Sequence, residues 1–565
     1  MNRSVSICLF TLAVLLSFSA CKKEETEPKD WILDDLVWDE MDKNATIAQW
    51  VLNDAYNYMP TGFNRIGANT GDYLDCAAGD AVPSRNNRPI EAYTNGRVSV
   101  VNNPDPYWGS SYAGIRRSNI FLKNIDKVPA PALTIRYWKA EARFLRALFY
   151  FELMKRYGGV PLIGDTLFKP SDNLQLPRNT FAECVDYIVT ECDAVKDSLR
   201  PESALTDTDW GRVPKGAAIA LKLRVHLYCA SPLFNGGGIE TDPVKKALTG
   251  YPTYDATRWQ TVITDYEELR GLNFYELNAS FINVFITKRN KEVILAKQSP
   301  NGASVETNNA PMGYGTPALS NGLTSPTQEL VDAYPMANGL GITEAGSGYN
   351  AAAPYTGRDP RLGFTVFFNG MQWLKRPVET WEGGRDKPGG ISVQTRTGYY
   401  ARKFMPNLAT NDTYGSQSHN FILFRFAEAR LAYAEALNEV NRVEDAVKEV
   451  IEIRKRAGIT AGTGARYGIK TGITQAEMRS LIMNERRIEL AFEEQRFWDL
   501  RRWKTAGTEL NRTATGMKIT KQTNGTFVYE RVPVTTFTFQ NRLYHMPIPY
   551  DETTKNLKLV QNEGW

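Results

Sequence analysis

The side chains best placed to do chemistry lie in a charged stretch at residues 474–503. If this stretch is helical, Arg486, Glu489, Glu493 and Arg496 fall on one stripe, with apolar side chains on both sides of it. A capping-box sequence opens the stretch and marks where such a helix would begin. Two carboxylates on one stripe could act as the acid and the base of a glycoside hydrolase.

The same four side chains could instead form a structural network. A buried charge without a partner is strongly unfavourable, so a charged stripe between apolar surfaces must be paired. Glu489 and Glu493 each have an arginine, Arg486 or Arg496, within one helical turn. Paired arginines would hold both acids ionised, which is unsuitable for a general acid. We therefore predict an ion-pair network that docks the helix.

Other catalytic and metal-binding patterns do not stand out in the sequence. His226, His419 and His545 are the only three histidines, and they are too far apart in sequence to form a spaced set of metal ligands. There is no nucleophile elbow and no Cys/His catalytic set. The net charge is +4 with acids and bases interspersed, so nothing indicates a nucleic-acid surface. We predict no metal, no cofactor and no enzymatic activity.

The amino-terminal residues have the pattern of a secretory signal. Arg3 precedes an apolar run over residues 5–18, which is too short to span a membrane. Small residues and then Cys21 follow, as in a lipoprotein signal, and the next residues are polar and charged. We predict a signal peptide at 1–20, an acylated Cys21 that anchors the mature chain, and a flexible tether at 21–30.

Amphipathic patterns of helical period recur in pairs along the chain. Small residues repeat within them, which lets neighbouring helices approach closely. Successive helix hairpins of this kind indicate a stack similar to tetratricopeptide repeats. The predicted helices are 44–59, 109–125, 137–157, 181–199, 213–230, 257–269, 421–438 and 443–457.

Helical periodicity disappears in the middle of the chain. That segment is rich in Gly, Pro, Asn, Thr and aromatic residues, with strand-like runs at 364–368 and 399–404. We predict one mostly α domain over 31–565. It comprises a scaffold of tetratricopeptide-like helix hairpins at about 31–285 and 420–565, and a loop-rich insertion with short strands at about 286–419.

Short motifs follow one another in the order found in a known family. They include the run Arg-Phe-Trp-Asp-Leu-Arg-Arg-Trp that closes the charged stretch. Together they resemble the SusD/RagB family of outer-membrane nutrient-binding lipoproteins of Bacteroidetes, over nearly the whole mature chain. The matching segments are 140–147, 157–162, 211–218, 326–334, 358–362, 425–431, 433–436, 496–503, 544–549 and 561–565.

The resemblance implies a function at the outer face of the outer membrane. A member of this family captures an oligosaccharide and delivers it to a SusC-like TonB-dependent transporter, and no bond is made or broken. Capture of peptides is the alternative within the family. A glycoside hydrolase that uses Glu489 and Glu493 is the alternative from another class.

Two loops offer the mixture of side chains that sugars need, namely flat aromatic rings beside amides, acids or arginines. The alternative is that their tryptophans only cover the core. We predict that the two loops meet on one surface and bind the ligand. The candidate residues are Asn103, Asp105, Tyr107 and Trp108 in the first loop, and Trp373, Arg376 and Trp381 in the second.

Overall fold

The structure is a computed structural model that describes residues 37–67, 71–314, 320–390 and 393–565. It is mostly α, with 41% helix and 11% strand. The predicted signal peptide, tether and acylated Cys21 lie outside the described residues.

Long helices build the scaffold, and short ones belong mainly to the connections and the insertion. In chain order the helices are α1 (Thr46–Asn57), α2 (Glu91–Thr94), α3 (Trp108–Asn124), α4 (Ala132–Tyr157), α5 (Phe181–Lys196), α6 (Lys215–Ala230), α7 (Pro243–Thr249), α8 (Arg258–Gly271), α9 (Asn283–Ile286), α10 (Ser304–Asn309), α11 (Gln328–Ala333), α12 (Pro360–Thr365), α13 (Phe426–Glu439), α14 (Val443–Ala457), α15 (Gln475–Glu489), α16 (Gln495–Arg502), α17 (Ala506–Glu509) and α18 (Tyr550–Lys555).

The long helices stack in sequence, each against its neighbours. Helix α4 packs between α3 and α5, α6 packs on α5 and α8, and α13 connects α8 to α14 and α15. Small residues permit this packing. A Cβ added to Gly114 of α3 would lie only 2.6 Å from the ring of Phe149 in α4. The predicted fold class, a scaffold of tetratricopeptide-like helix hairpins, is confirmed.

The carboxyl end of α4 shows how the scaffold fixes its turns. The helix ends at Tyr157, and the residue that caps it, Gly158, has a φ of 79°, which favours glycine. Gly159 follows in such close contact that an added Cβ would lie 2.0 Å from the carbonyl oxygen of Asn179. The next helix, α5, begins with a complete capping box between Thr180 and Glu183.

Short strands join the insertion to the scaffold and to itself. They are β1 (Ala81–Pro83), β2 (Val293–Lys297), β3 (Thr324–Pro326), β4 (Val366–Phe367), β5 (Gln372–Trp373), β6 (Arg376–Pro377), β7 (Tyr400–Ala401) and β8 (Phe421–Arg425). Two longer strands, β9 (Thr513–Lys521) and β10 (Phe527–Thr536), pair with each other in a hairpin near the carboxyl end. Strands β2 and β8 pair antiparallel where the insertion begins and ends. Strand β1 of the scaffold pairs with β3, and the two strand-like runs in the insertion contain β4 and β7, which pair with each other.

Two sequence-based assignments are wrong. Residues 421–425 were expected to open a helix, but they form β8, and α13 begins only at Phe426. The charged stretch is also not one helix. Phe492 and Glu494 have φ of 61° and 59°, so α15 ends at Glu489 and α16 begins at Gln495 with a new direction.

Among the described residues, every helix falls short of the length or the hydropathy that crossing a membrane would require.

Candidate functional site

The carboxylates of the charged stretch are buried in ion pairs with residues distant in sequence. Glu489 accepts hydrogen bonds from Arg361 at 2.9 Å and from Arg425 at 2.8 Å, and it also contacts Arg456. Glu493 accepts from Lys403 at 2.6 Å and from Arg425 at 2.6 Å. The predicted partners, Arg486 and Arg496, are therefore wrong for both acids.

These contacts belong to one network with balanced charge. Within the described residues it joins five acids to five bases, and their side chains are almost entirely shielded from solvent. The acids are Glu292, Asp359, Glu485, Glu489 and Glu493, and the bases are Arg361, Lys403, Arg425, Arg454 and Arg456. Four members, Glu292, Asp359, Arg361 and Lys403, come from the insertion, so the network docks the insertion on the scaffold.

The network fixes the protonation of the two acids. Burial raises the pKa of Glu489, but Arg456, Arg425 and Arg361 lower it more, and the net result is a pKa well below the ordinary range. Burial likewise raises the pKa of Glu493, but Arg425 and Lys403 lower it more, so this pKa is also below its ordinary value. Both carboxylates are ionised acceptors without open access to substrate, which does not suit a general acid.

Arg486 and Arg496 have partners of their own. The guanidinium of Arg486 pairs with Asp499 at 3.0 and 3.1 Å, and Arg496 pairs with Glu509 at 3.3 Å. The break between α15 and α16 separates Glu493, in the connection, from Arg496 in α16. Arg486 stays in α15 with Glu489, but its guanidinium is directed to Asp499 of α16. Burial lowers the pKa of Arg496 to about 10.

The first predicted ligand loop is firmly packed. Trp108 was expected to be exposed, but it is only 5% exposed and packs edge-on against Tyr157 at 5.3 Å. Asp105 is buried and pairs with Arg156 at 2.9 Å. Asn103 accepts hydrogen bonds from Tyr93 at 2.6 Å and from the backbone of Asp105 at 3.0 Å.

The side chains of the second predicted loop also have partners within the protein. Trp373 is fully buried against Phe367, with ring centroids 4.8 Å apart, so its expected exposure is also wrong. Arg376 binds Asp386 through two hydrogen bonds of 2.8 and 3.0 Å. Trp381 is half-buried beneath Lys521 of the β9–β10 hairpin.

The described contacts place the two loops in different parts of the core. The first packs on the end of α4, and the second packs within the insertion and on the β9–β10 hairpin. The predicted meeting of the loops on one surface has no contact in its favour among the described residues.

Arg65 links the first loop to a cavity that the sequence analysis did not single out. Its guanidinium pairs with Asp105 at 2.5 Å and with Glu494 at 2.6 Å, and it lies over the ring of Tyr107 at 5.2 Å. Burial alone would lower the pKa of Arg65, but Asp105 and Glu494 hold it well above the ordinary value. The side chain is therefore charged, and Asp105 and Glu494 fix its position.

The cavity in front of Arg65 lies where the scaffold meets the insertion. Its volume is about 360 Å³, and we call it the Phe63 cavity. One wall follows α1 in sequence and the other is α10 of the insertion. The lining residues are Thr61, Phe63, Asn64, Arg65, Ser304, Val305 and Asn308.

Phe63 supplies the flat apolar surface of this cavity. Its ring is half-buried and rests edge-on against Phe404 at 5.0 Å and Phe421 at 5.5 Å, which fixes its orientation. An amide at Asn308 and the cation of Arg65 lie on the same cavity. Sequence reasoning missed it because α10 falls in the segment expected to be irregular. The run Phe63-Asn64-Arg65 combines an aromatic ring, an amide and a cation, which is the same mixture of side chains as in the two predicted loops.

Two family models match the chain, one over each part. The SusD family model matches residues 291–565, and a model described as starch-binding associating with outer membrane matches residues 28–227. The chain belongs to the SusD family. This is a carbohydrate-binding family associated with the outer membrane.

Relatives of this SusD-family chain match along most of their length. A solved SusD-like protein from Bacteroides fragilis is 29% identical, with a TM-score of 0.75 over 94% of this chain and 99% of that one. SusD-like protein P2 of Formosa agariphila is 25% identical over 515 residues, 87% of this chain and 86% of that protein. A laminarin-binding SusD-like protein shares the fold at 21% identity, with a TM-score of 0.62 over 92% and 99% of the two chains.

Proposed function

We propose that this protein captures an oligosaccharide in the Phe63 cavity and passes it to a SusC-like TonB-dependent transporter. The observation that carries the proposal is the cavity itself, in which an oriented aromatic ring lies beside a fixed arginine and an amide where the scaffold meets the insertion. Membership of a carbohydrate-binding family supports the oligosaccharide as the ligand. An acyl group on Cys21 would anchor the protein to the outer membrane.

The side chains of the cavity match the two surfaces of a sugar. The C–H face of a sugar ring can lie on Phe63. One hydroxyl group can accept from the N–H of Arg65 that Asp105 and Glu494 leave free, and others can exchange hydrogen bonds with Asn308. Because Asp105 and Glu494 already hold Arg65, little conformational freedom is lost when the ligand binds.

The predicted first loop has a supporting part in this proposal. Asp105 and Tyr107 lie behind Arg65, and Asn103 in turn holds the backbone of Asp105. Trp108 and Trp373 are buried and are not needed for binding. Arg376 and Trp381, both half-buried, stay predicted ligand contacts.

A binding screen tests the ligand class. The soluble form that starts after Cys21, without a tag, is applied to a glycan array and in parallel to a peptide library. We expect selective binding to one group of oligosaccharides. Selective binding of peptides with no glycan bound would replace oligosaccharide capture with peptide capture, and release of shorter sugars from labelled glycans would indicate a hydrolase.

A further inference from the structure

A second cavity lies between the scaffold and the first strand of the insertion, and it shares no lining residue with the Phe63 cavity. Its volume is about 260 Å³. It is bounded by the end of α1, by the loop that leads into α6, and by the end of β2. The residues that matter for its chemistry are Asn53, Tyr56, Asn57, Trp210, Arg212 and Gln298.

Two polar atoms of this cavity are shielded from solvent and have no hydrogen-bond partner within the described residues. They are the indole N–H of Trp210 and the side-chain oxygen of Gln298, a donor and an acceptor. Buried polar groups are nearly always paired, and an unpaired one loses its hydration without compensation. A donor and an acceptor orphaned in one cavity therefore indicate a ligand that supplies both partners.

The backbone holds these two groups in place. The Gln298 amide nitrogen donates to the carbonyl of Ala296 at 3.2 Å, which directs the free oxygen. Gly211, between Trp210 and Arg212, has a φ of 101°, and a Cβ there would lie 2.3 Å from the side chain of Gln298. Only glycine therefore allows the loop to pass this close to Gln298.

The cations around the cavity are already engaged by the protein. Arg212 pairs with Glu141 at 3.3 Å and lies over the ring of Tyr56 at 5.3 Å. The ammonium group of Lys297 donates to the carbonyls of Asn57 at 2.7 Å and Met59 at 2.8 Å. What remains for a ligand is neutral: one indole, one phenol ring, three side-chain amides and the hydroxyl of Thr208.

We infer that this cavity is a second carbohydrate site that takes a single neutral sugar ring. The ring would lie against Trp210, accept a hydrogen bond from its indole N–H, and donate a hydroxyl to Gln298. The volume is below the roughly 300–1,000 Å³ of pockets for drug-sized ligands, which fits one sugar ring and not a longer chain. The inference rests on the proposed glycan binding but assigns it to different residues.

The indole N–H of Trp210 provides a direct probe. The protein is labelled with ¹⁵N at its 12 tryptophans, and the Trp210 signal is assigned as the one missing in Trp210→Phe. Glucose, galactose, mannose and N-acetylglucosamine are then added one at a time, up to about 100 mM, so that dissociation constants weaker than about 1 mM are covered. We expect at least one of these sugars to shift the Trp210 signal in a saturable way.

Two variants separate this site from the Phe63 cavity. Gln298→Met removes the free acceptor and keeps the side-chain length, so it should weaken the Trp210 response at least tenfold, whereas Phe63→Leu should leave it unchanged. The signal of Trp50, which is 58% exposed on α1, should not move. If none of the four sugars shifts Trp210, or if Gln298→Met has no effect, the inference is wrong. Oligosaccharide binding on the glycan array would survive that result and would assign binding to the Phe63 cavity alone.

Discussion

At the scale of single residues, loss of the charge of Glu489 should reduce the stability of the protein strongly. It contacts Arg361, Arg425 and Arg456 in a site closed to solvent. Glu489→Gln would leave these arginines short of a negative charge, so we expect the free energy of unfolding to fall by about 3–5 kcal/mol. Chemical denaturation measures this change.

A surface glutamate is the control for Glu489. The side chain of Glu444 is 59% exposed and pairs with Arg466. Glu444→Gln should change stability by less than about 1 kcal/mol, because exposed ion pairs contribute little. Unchanged stability of Glu489→Gln together with lost release of sugars from a glycan would show that the carboxylate is catalytic.

His545 should make the fold sensitive to acid. Burial lowers its pKa from the ordinary value of 6.5 to about 4, and only Glu240 opposes this. Between these two values the unfolded chain binds more protons than the folded one, so stability is present above pH 6.5 and falls as the pH drops toward 4. The loss is about 3 kcal/mol for a shift of this size.

A variant isolates the contribution of His545. Unfolding free energies of the wild type and of His545→Gln are measured between pH 7 and 4, and the difference between the two curves is followed. Buried carboxylates that do not contact His545 and titrate in the same range affect both proteins equally. We expect the curves to converge as the pH falls, and parallel curves would contradict the lowered pKa.

The residue patterns indicated buried, paired charges at Glu489 and Glu493 but not which residues pair with them. Helical spacing offered Arg486 and Arg496 as partners. The left-handed residues Phe492 and Glu494 remove that geometry for Arg496, and Arg486 pairs with Asp499 of α16 instead. The actual partners come from strands and helices far away in sequence, such as Arg361 and Arg425. The local sequence around Glu489 and Glu493 does not encode ion pairs with residues so distant along the chain.

At the scale of elements, the tight turn after α4 should not tolerate a side chain. Gly159→Ala would place a Cβ 2.0 Å from the backbone oxygen of Asn179, which cannot move freely. We expect thermal denaturation to show a loss of about 1–3 kcal/mol. Gly109→Ala in the first turn of α3 is the control. Nothing lies within 4 Å of its Cβ, so it should be neutral or slightly stabilising. Equal stability of both variants would contradict the close contact.

Elements with a strong helical period were predictable, and short or continuous apolar ones were not. The long helices of the scaffold follow their amphipathic patterns closely. Strand β8 runs directly into α13, so its apolar residues look like the first turn of that helix. The β9–β10 hairpin was missed although Asn524-Gly525, at its turn, is a recognised hairpin signal.

At the scale of the whole molecule, membrane attachment depends on a residue outside the described structure. If Cys21 is acylated, Cys21→Ser should move the protein from the membrane fraction to the soluble fraction. Its melting temperature should not change, because the folded domain is untouched. The comparison is made in cells that lack the partner transporter. Equal retention of the variant in their membranes would contradict the lipid anchor.

Glycan binding in the Phe63 cavity is the central claim, and titration calorimetry of one variant tests it most directly. Phe63→Leu keeps an apolar side chain but removes the flat ring, and Trp50→Ala is the control at an exposed position outside the cavity. With the oligosaccharide selected on the array, we expect Phe63→Leu to weaken binding by about 1–2 kcal/mol, and Trp50→Ala to bind like the wild type. Unchanged affinity in a folded Phe63→Leu protein would contradict the proposed site.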